Sequence, residues 1–177
     1  VYLPSDRFQT AKLIEALLQD TKPAYVRVSR SATEDVYNED MEFTFNRANE
    51  IKEGADVTLI ACGEMVPYAV KAAQILEQAG IDAGVLDMYC LKPLDAEAVV
   101  RCAKKSRLLV TLEEHSIYGG LGSLVAQTVA ERHPCRVKQI ALPDGHLIPG
   151  TNKEVFAYYH MDAEGIAETV KAALTEE

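Results

Sequence analysis

The stretch that decides the fold is Val57-Thr58-Leu59-Ile60-Ala61-Cys62, in which every residue except the threonine is apolar. A short continuous apolar run predicts a strand that is buried on both faces, as in a parallel sheet covered by helices. The following residues change to helical spacing, and the apolar side chains on one helix face are Val66, Ala69, Val70, Ala73 and Leu76. Gly80 predicts the end of that helix. A buried strand followed by an amphipathic helix is the first unit of an α/β fold.

The same alternation continues to the end of the chain. Three more apolar runs predict strands at residues 83–88, 108–112 and 137–142. Helices are predicted after the capping residues Asp95 and Asp162, and after the turn Gly119-Gly120-Leu121-Gly122. Strands that alternate with helices at short intervals predict a three-layer α/β/α fold around a mostly parallel sheet.

The residues before this domain follow a different pattern. A helix is predicted after Ser5 or Asp6, with one apolar stripe formed by Ala11, Ile14, Leu17 and Leu18, and a strand is predicted at residues 24–30. One helix and one strand cannot bury a core, so we expect residues 1–30 to be the end of an incomplete domain. Residues 31–53 are predicted to be a linker with extended segments at 43–45 and 49–51, and 54–177 a complete domain. Because the first residue is Val1 and not Met, we expect the chain to be processed or a piece of a longer one.

Composition limits the classes of partner. The chain has 27 acidic and 18 basic residues and a net charge of −9, which argues against nucleic acid and anionic membranes as main partners. No apolar run approaches the ~20 residues of a membrane span, and no signal segment begins the chain. The four cysteines are far apart and form no C-x-x-C pair, so we expect reduced thiols, no zinc site and a cytoplasmic location.

Two arginines are candidates for ligand binding. Arg27 and Arg30 lie at the end of the predicted strand, where α/β proteins bind ligands, and their spacing puts them on opposite faces. The planar donor group of Arg30 suits two oxygens of a phosphate. The alternative is a surface salt bridge between Arg30 and Glu34 or Asp35.

Two further motifs adjoin the third predicted strand of the α/β domain. The turn with Gly119, Gly120 and Gly122 leads into a helix N-terminus, which can bind an anion; the alternative is a tight turn that lets a strand or a neighbouring protomer approach. Glu113-Glu114-His115 precedes this turn and can supply acid–base or metal chemistry. Its alternative is structural or interface hydrogen bonding, because adjacent residues point in different directions.

Taken together, these segments resemble the transketolase family. The stretch Pro23-Ala24-Tyr25-Val26-Arg27-Val28-Ser29-Arg30 is similar to the end of the pyrimidine-binding domain. Four segments resemble parts of the C-terminal domain, in order: 56–64, Leu86-Asp87-Met88 with Lys92-Pro93-Leu94-Asp95, Thr111-Leu112-Glu113-Glu114-His115, and 119–122. The ending Ser29-Arg30 favours transketolase over two relatives that share this domain, deoxyxylulose-phosphate synthase and the beta subunits of 2-oxo-acid dehydrogenases. Both relatives stay open as alternatives, as does a non-catalytic dimerisation or anion-binding module.

The resemblance implies a function for the complete enzyme. Transketolases transfer a two-carbon ketol unit from a ketose phosphate to an aldose phosphate with thiamine diphosphate and Mg²⁺ or Ca²⁺, within the pentose phosphate pathway. The cofactor lies between two subunits of a homodimer, and some members are split into two polypeptides. The resemblance therefore implies that the partner of this chain is the rest of a transketolase, and that the isolated chain is inactive.

The resemblance also assigns roles within this chain. Arg30, with Ser29 beside it, is implied to contact the sugar phosphate. No catalytic residue and no metal ligand carries over to this chain, and no cofactor is expected on it alone. Residues 54–177 are implied to supply subunit contacts and a five-stranded sheet, whose one antiparallel strand comes from the segment near 43–51.

Overall fold

In a computed structural model, which describes residues 1–176, five strands and six helices alternate largely as predicted. The strands are β1 (Asn49–Lys52), β2 (Val57–Ala61), β3 (Ala83–Asp87), β4 (Leu108–Ser116) and β5 (Arg136–Leu142). The helices are α1 (Arg7–Leu17), α2 (Met65–Gln78), α3 (Ala96–Lys105), α4 (Leu121–Arg132), α5 (Asn152–Tyr158) and α6 (Ala163–Thr175).

The strands form one five-stranded sheet in the order β1-β3-β2-β4-β5. The β2–β3, β2–β4 and β4–β5 pairs are parallel, and β1 is antiparallel to β3. The predicted mostly parallel sheet with one antiparallel strand is therefore confirmed. Because β2 is central, both of its faces are covered, which explains the continuous apolar run.

Helices cover both faces of the sheet and form two cores. On one face Leu59 and Ala61 of β2 pack in a core with α2, α5 and α6; on the other Ile60 and Cys62 pack with α3 and α4. The residues of β2 thus alternate between the two cores, as the geometry of a strand requires. This gives the three-layer α/β/α architecture.

Local signals in the sequence set several helix ends. The side chains of Asp95 and Asp162 accept hydrogen bonds from Ala98 N and Gly165 N and cap α3 and α6 as predicted. Gly80, at φ +79°, ends α2 in the left-handed conformation that favours glycine. A helix that was not predicted, α5, begins with a capping box of Thr151 and Glu154, a motif that is visible in the sequence.

The N-terminal helix contradicts one prediction. Asp6 caps α1 as expected, but the predicted apolar stripe is wrong because Ile14 is 43% exposed and Leu18 is 78% exposed. The helix instead buries Gln9 and Leu13. Leu13 packs in a third core with Tyr2, Tyr89 and Cys90 and with the partly buried Leu17, so contacts with the α/β domain decide which face is inward.

Two predicted extended segments also differ in the structure. In residues 24–30 the only strand-like pairing within the described chain is an isolated bridge of Val26 with Tyr2, so the predicted strand is reduced to a single bridge. Residues 43–45 form no strand. The ring of Phe43 instead packs at a tilt on Tyr89, and that of Phe45 stacks on Tyr2. The antiparallel strand comes from 49–52.

Candidate functional site

The candidate site lies at the carboxyl ends of β2 and β4, which are adjacent in the sheet. Cys62, Gly63 and Glu64 follow β2, and the segment Arg27-Val28-Ser29 lies against them and against Glu114 of β4. This is the edge at which open α/β sheets bind ligands. A cavity of about 520 Å³ opens beside it, lined by residues that include Tyr25, Arg27, Glu114, His115 and Gly119.

The glycine turn holds an anion that belongs to the chain itself. Glu113, only 2% exposed, accepts hydrogen bonds from Leu121 N at 2.7 Å and Gly122 N at 2.8 Å, at the N-terminus of α4. A Cβ at Gly120 would lie 1.9 Å from a carboxylate oxygen of Glu113, so a side chain at this position would displace the carboxylate from the turn. An external anion at this N-terminus would have to displace Glu113. The role of Gly119, Gly120 and Gly122 at an interface between subunits stays a prediction.

The three residues Glu113, Glu114 and His115 make separate contacts. Glu114 forms an ion pair with Arg27 through its carboxylate, and its backbone oxygen accepts from Arg27 Nη1 at 3.0 Å. The exposed His115 has its Nδ1 2.8 Å from the backbone oxygen of Ser116. The structure therefore assigns the two carboxylates to structural bonds and does not join the three residues in one acid–base cluster.

Arg30 is exposed on the loop that follows Arg27, and within residues 1–176 its side chain makes no hydrogen bond or ion pair. Both carboxylates of the salt-bridge alternative have other partners, since Glu34 pairs with Lys71 at 2.6 Å and Asp35 with Arg7 at 3.0 Å. Ser29 Oγ accepts a hydrogen bond from Ser31 N at 3.3 Å. The guanidinium of Arg30 is thus available for a ligand.

A buried polar network beneath this segment was missed by the sequence analysis. Asp87, fully buried at the end of β3, accepts hydrogen bonds on Oδ2 from Ser5 Oγ, Gln9 Nε2 and Tyr37 OH. Its Oδ1 is buried without a partner in the part of the chain that the structure describes. Burial raises the pKa of Asp87 to about 7, against the lowering effect of the three donors.

A second buried carboxylate, that of Asp6, joins the same elements. Asp6 caps α1 through Oδ1, while its Oδ2 accepts from the backbone amides of Val36 at 2.8 Å and Tyr37 at 2.8 Å. Asp6 and Asp87 therefore tie α1 and the segment at 36–37 to the sheet. A single aspartate at the end of an apolar run carries no sequence signal for such a network, because its donors lie 50 to 82 residues away in the chain.

The described residues contain neither a metal-binding cluster nor a membrane-spanning helix. Within 1–176, no group of three or more His, Cys, Asp or Glu side chains is arranged to hold a metal ion. None of the helices described is long and apolar enough to cross a membrane.

Comparison with known proteins defines the class of protein. Residues 46–166 match the family described as "Transketolase, C-terminal domain". The chain is 44% identical over 170 residues to one subunit of an apulose-4-phosphate transketolase from Phocaeicola vulgatus, and the match covers 96% of this chain and 54% of that protein. It is 35% identical over 181 residues to the "Putative transketolase C-terminal section" of Methanocaldococcus jannaschii, with 100% of this chain and 56% of that protein covered.

A solved structure agrees with these relatives. A structure titled "Split gene transketolase, inactive beta4 tetramer" superimposes with a TM-score of 0.92 and 37% identity, over 98% of this chain and 57% of that one. The chain therefore belongs to the transketolase C-terminal domain family. It spans a little over half the length of these relatives.

Proposed function

We propose that this chain is the C-terminal part of a transketolase, which transfers a two-carbon ketol unit between ketose and aldose phosphates. In this proposal residues 1–30 end the pyrimidine-binding domain, 31–53 link it to the C-terminal domain, and 54–177 supply subunit contacts. The partner is the remaining part of the enzyme, and the complete enzyme is a cytoplasmic homodimer of the pentose phosphate pathway. The family membership supports this proposal, as does the match along nearly the whole chain to a transketolase subunit and to a C-terminal section.

The single observation that best supports a role for this chain in substrate binding is that the guanidinium of Arg30 makes no hydrogen bond or ion pair within residues 1–176. It lies on an exposed loop at the edge where α/β sheets bind ligands, and the two nearby carboxylates are paired with Arg7 and Lys71. A phosphate can accept two charge-assisted hydrogen bonds from this planar group. The substrate for which the Phocaeicola relative is named, apulose 4-phosphate, is also a sugar phosphate, so we propose Arg30 as the phosphate ligand, with Ser29 beside it.

Thiamine diphosphate supplies the carbanion chemistry of this enzyme class when it is bound. The described residues do not fit its divalent metal, because within 1–176 no three potential ligands come together. We therefore propose that Mg²⁺ or Ca²⁺ and the cofactor are bound by the remaining part of the enzyme, and we assign no catalytic residue to this chain.

The test is reconstitution with the complementary transketolase section, thiamine diphosphate and Mg²⁺. We expect ketol transfer from the reconstituted enzyme and none from this chain alone. Turnover by the isolated chain would reject the proposal that the catalytic residues and the cofactor site lie in the complementary section. Inactivity of a well-assembled complex would favour a non-catalytic module. Product analysis with pyruvate as donor separates ketol transfer from deoxyxylulose-phosphate synthesis.

The Arg30→Ala variant of the reconstituted enzyme tests the phosphate role. Loss of a charge-assisted contact of ~1.5–3 kcal/mol raises the KM for phosphorylated substrates about tenfold or more. The KM for unphosphorylated analogues should stay the same. The matched control is Arg132→Ala, which removes a surface arginine that pairs with Glu97 between α4 and α3. An equal effect of Arg30→Ala on both kinds of substrate would reject the role.

A further inference from the structure

We infer that Arg27 and Glu114 form a positioning pair that holds the loop carrying Arg30 at the edge of the sheet, and so sets the affinity for phosphorylated substrates. This inference rests on the proposed function of Arg30 as the phosphate ligand. Nη1 and Nη2 of Arg27 each donate one hydrogen bond to Glu114, and this contact orients the guanidinium.

The loop that carries Arg30 has little backbone support of its own. Arg27 N donates to Tyr2 O at 2.9 Å, and this is the last backbone–backbone hydrogen bond of the segment. Among the amides at 28–35 within the described chain, only Ser31 N donates, and its acceptor is the side chain of Ser29 in the same loop. The loop ends at 36–37, where two backbone amides donate hydrogen bonds to the carboxylate of Asp6. Its position therefore depends on side-chain anchors.

Among the ion pairs at this loop, the pair of Arg27 and Glu114 is the most protected. The side chains of Arg27 and Glu114 are 38% and 28% exposed, whereas those of Arg7 and Asp35 are 73% and 40% exposed. Exposed ion pairs contribute ~0–1 kcal/mol because water screens them. Arg27 also contacts both the backbone oxygen and the carboxylate of Glu114, which fixes its orientation as well as its distance.

The other half of the pair lies on the sheet. Glu114 belongs to β4, in the stretch between Leu112 and Ser116 where the register with β5 shifts. The preceding carboxylate, Glu113, is held by the N-terminus of α4. Arg27 therefore connects the Arg30 loop to the carboxyl end of β4, three residues before Arg30 in the chain. A displacement of ~1 Å in a ligand-positioning group can change rates or affinities up to ~100-fold.

The experiment uses the reconstituted enzyme with Arg27→Gln, Glu114→Gln, the double variant and Arg27→Lys. We expect each glutamine variant to raise the KM for phosphorylated aldoses about tenfold, with kcat and the KM for unphosphorylated aldoses little changed. The double variant should be no worse than either single one, because the two residues act as a unit. The Arg27→Lys variant should keep part of the affinity, since lysine retains the positive charge but lacks the planar guanidinium that donates two hydrogen bonds to Glu114. Arg132→Gln is the matched control.

Two results would overturn the inference. If Arg27→Gln raises the KM while Glu114→Gln leaves it unchanged or lowers it, Arg27 binds the phosphate itself. If the glutamine variants impair phosphorylated and unphosphorylated substrates equally, the pair is only structural.

Hydrogen exchange separates this inference from the proposed function. The amide of Arg27, which donates to Tyr2 O, should exchange faster in Glu114→Gln than in Arg132→Gln if the pair holds the segment, and unchanged exchange of this amide would reject the pair as an anchor. If Arg30→Ala leaves the KM for phosphorylated substrates unchanged, the proposed phosphate role fails. If Arg30→Ala raises that KM but neither Arg27→Gln nor Glu114→Gln does, only the positioning role fails.

Discussion

Replacement of Asp87 by asparagine should change how the stability of this protein depends on pH. Asp87 is fully buried and receives three side-chain donors on one oxygen, while the other oxygen has no partner among residues 1–176. Burial is the largest cause of its raised pKa, nearby Asp6 adds to it, and the donors Tyr37, Gln9 and Ser5 oppose it. Asparagine keeps an oxygen acceptor for these donors but cannot ionise.

The magnitude follows from the two pKa values of Asp87. The ordinary value is 3.8 and the value in the folded protein is about 7. Between these values the folded protein keeps a proton that the unfolded chain has lost, so the contribution of Asp87 to stability falls as the pH rises through this window. At ~1.4 kcal/mol for each pH unit, the loss is on the order of 4 kcal/mol. Above pH 7 the contribution is constant.

Urea unfolding of both proteins at several pH values between 4 and 8 measures this effect. The free energy of unfolding of Asp87→Asn minus that of the parent should rise by a few kcal/mol from pH 4 to 7, because pH effects common to both proteins cancel. Asp35→Asn, which removes an exposed aspartate, is the matched control. A difference for Asp87→Asn that is constant across this pH range would refute the reasoning.

Three further perturbations test the fold. Glu113→Gln should lower the free energy of unfolding by about 2 kcal/mol, because an amide cannot accept from both N–H groups at the start of α4 as a carboxylate does; in urea unfolding the surface control Glu131→Gln should change it by less than ~0.5 kcal/mol. Gly54→Ala should cost about 1–3 kcal/mol, since its Cβ would lie 2.0 Å from the backbone of β3, whereas Gly145→Ala adds a Cβ with nothing within 4 Å. Thermal unfolding compares the two, and equal melting temperatures would contradict the packing. In the native protein, alkylation followed by mass spectrometry should find Cys135 modified before Cys62, Cys90 and Cys102, because Cys135 is half-buried and the other three are buried. Burial raises the pKa of all four thiols, so access of the reagent decides the order, and earlier modification of any of the three buried cysteines would contradict the structure.

The sequence predicted the α/β domain well because its signals are local. The continuous apolar run at 57–62 predicted a strand that is buried on both faces, and each of its faces is covered by helices in the structure. The caps at Asp95 and Asp162 and the stop at Gly80 were confirmed, since a cap depends on residues within a few positions. The capping box at Thr151 and Glu154 shows that the same kind of signal for α5 was present and was missed.

The sequence was less successful where a residue's environment comes from distant parts of the chain. The stripe of Ile14 and Leu18 on α1 has helical spacing, but the α/β domain contacts the face with Gln9 and Leu13. The segment at 24–30 has the alternation of a strand, but one bridge at Val26 is its only pairing in the described chain. Periodicity indicates the conformation that a segment prefers, and only its neighbours decide what it pairs with.

For the candidate site, the sequence determined which chemical groups are present and the order in which they follow the strands. It identified Arg30 as a phosphate ligand candidate, the glycine turn as either an anion site or a tight turn, and the family to which the whole pattern is similar. The tertiary structure decided how these groups are used. It placed Glu113 at the glycine turn, paired Arg27 with Glu114 across 87 residues, and left the side chain of Arg30 without a partner among residues 1–176. The physical reason is that charge and hydrogen-bond pairing depend on distances of a few Å in space, which the fold sets between residues far apart in the chain.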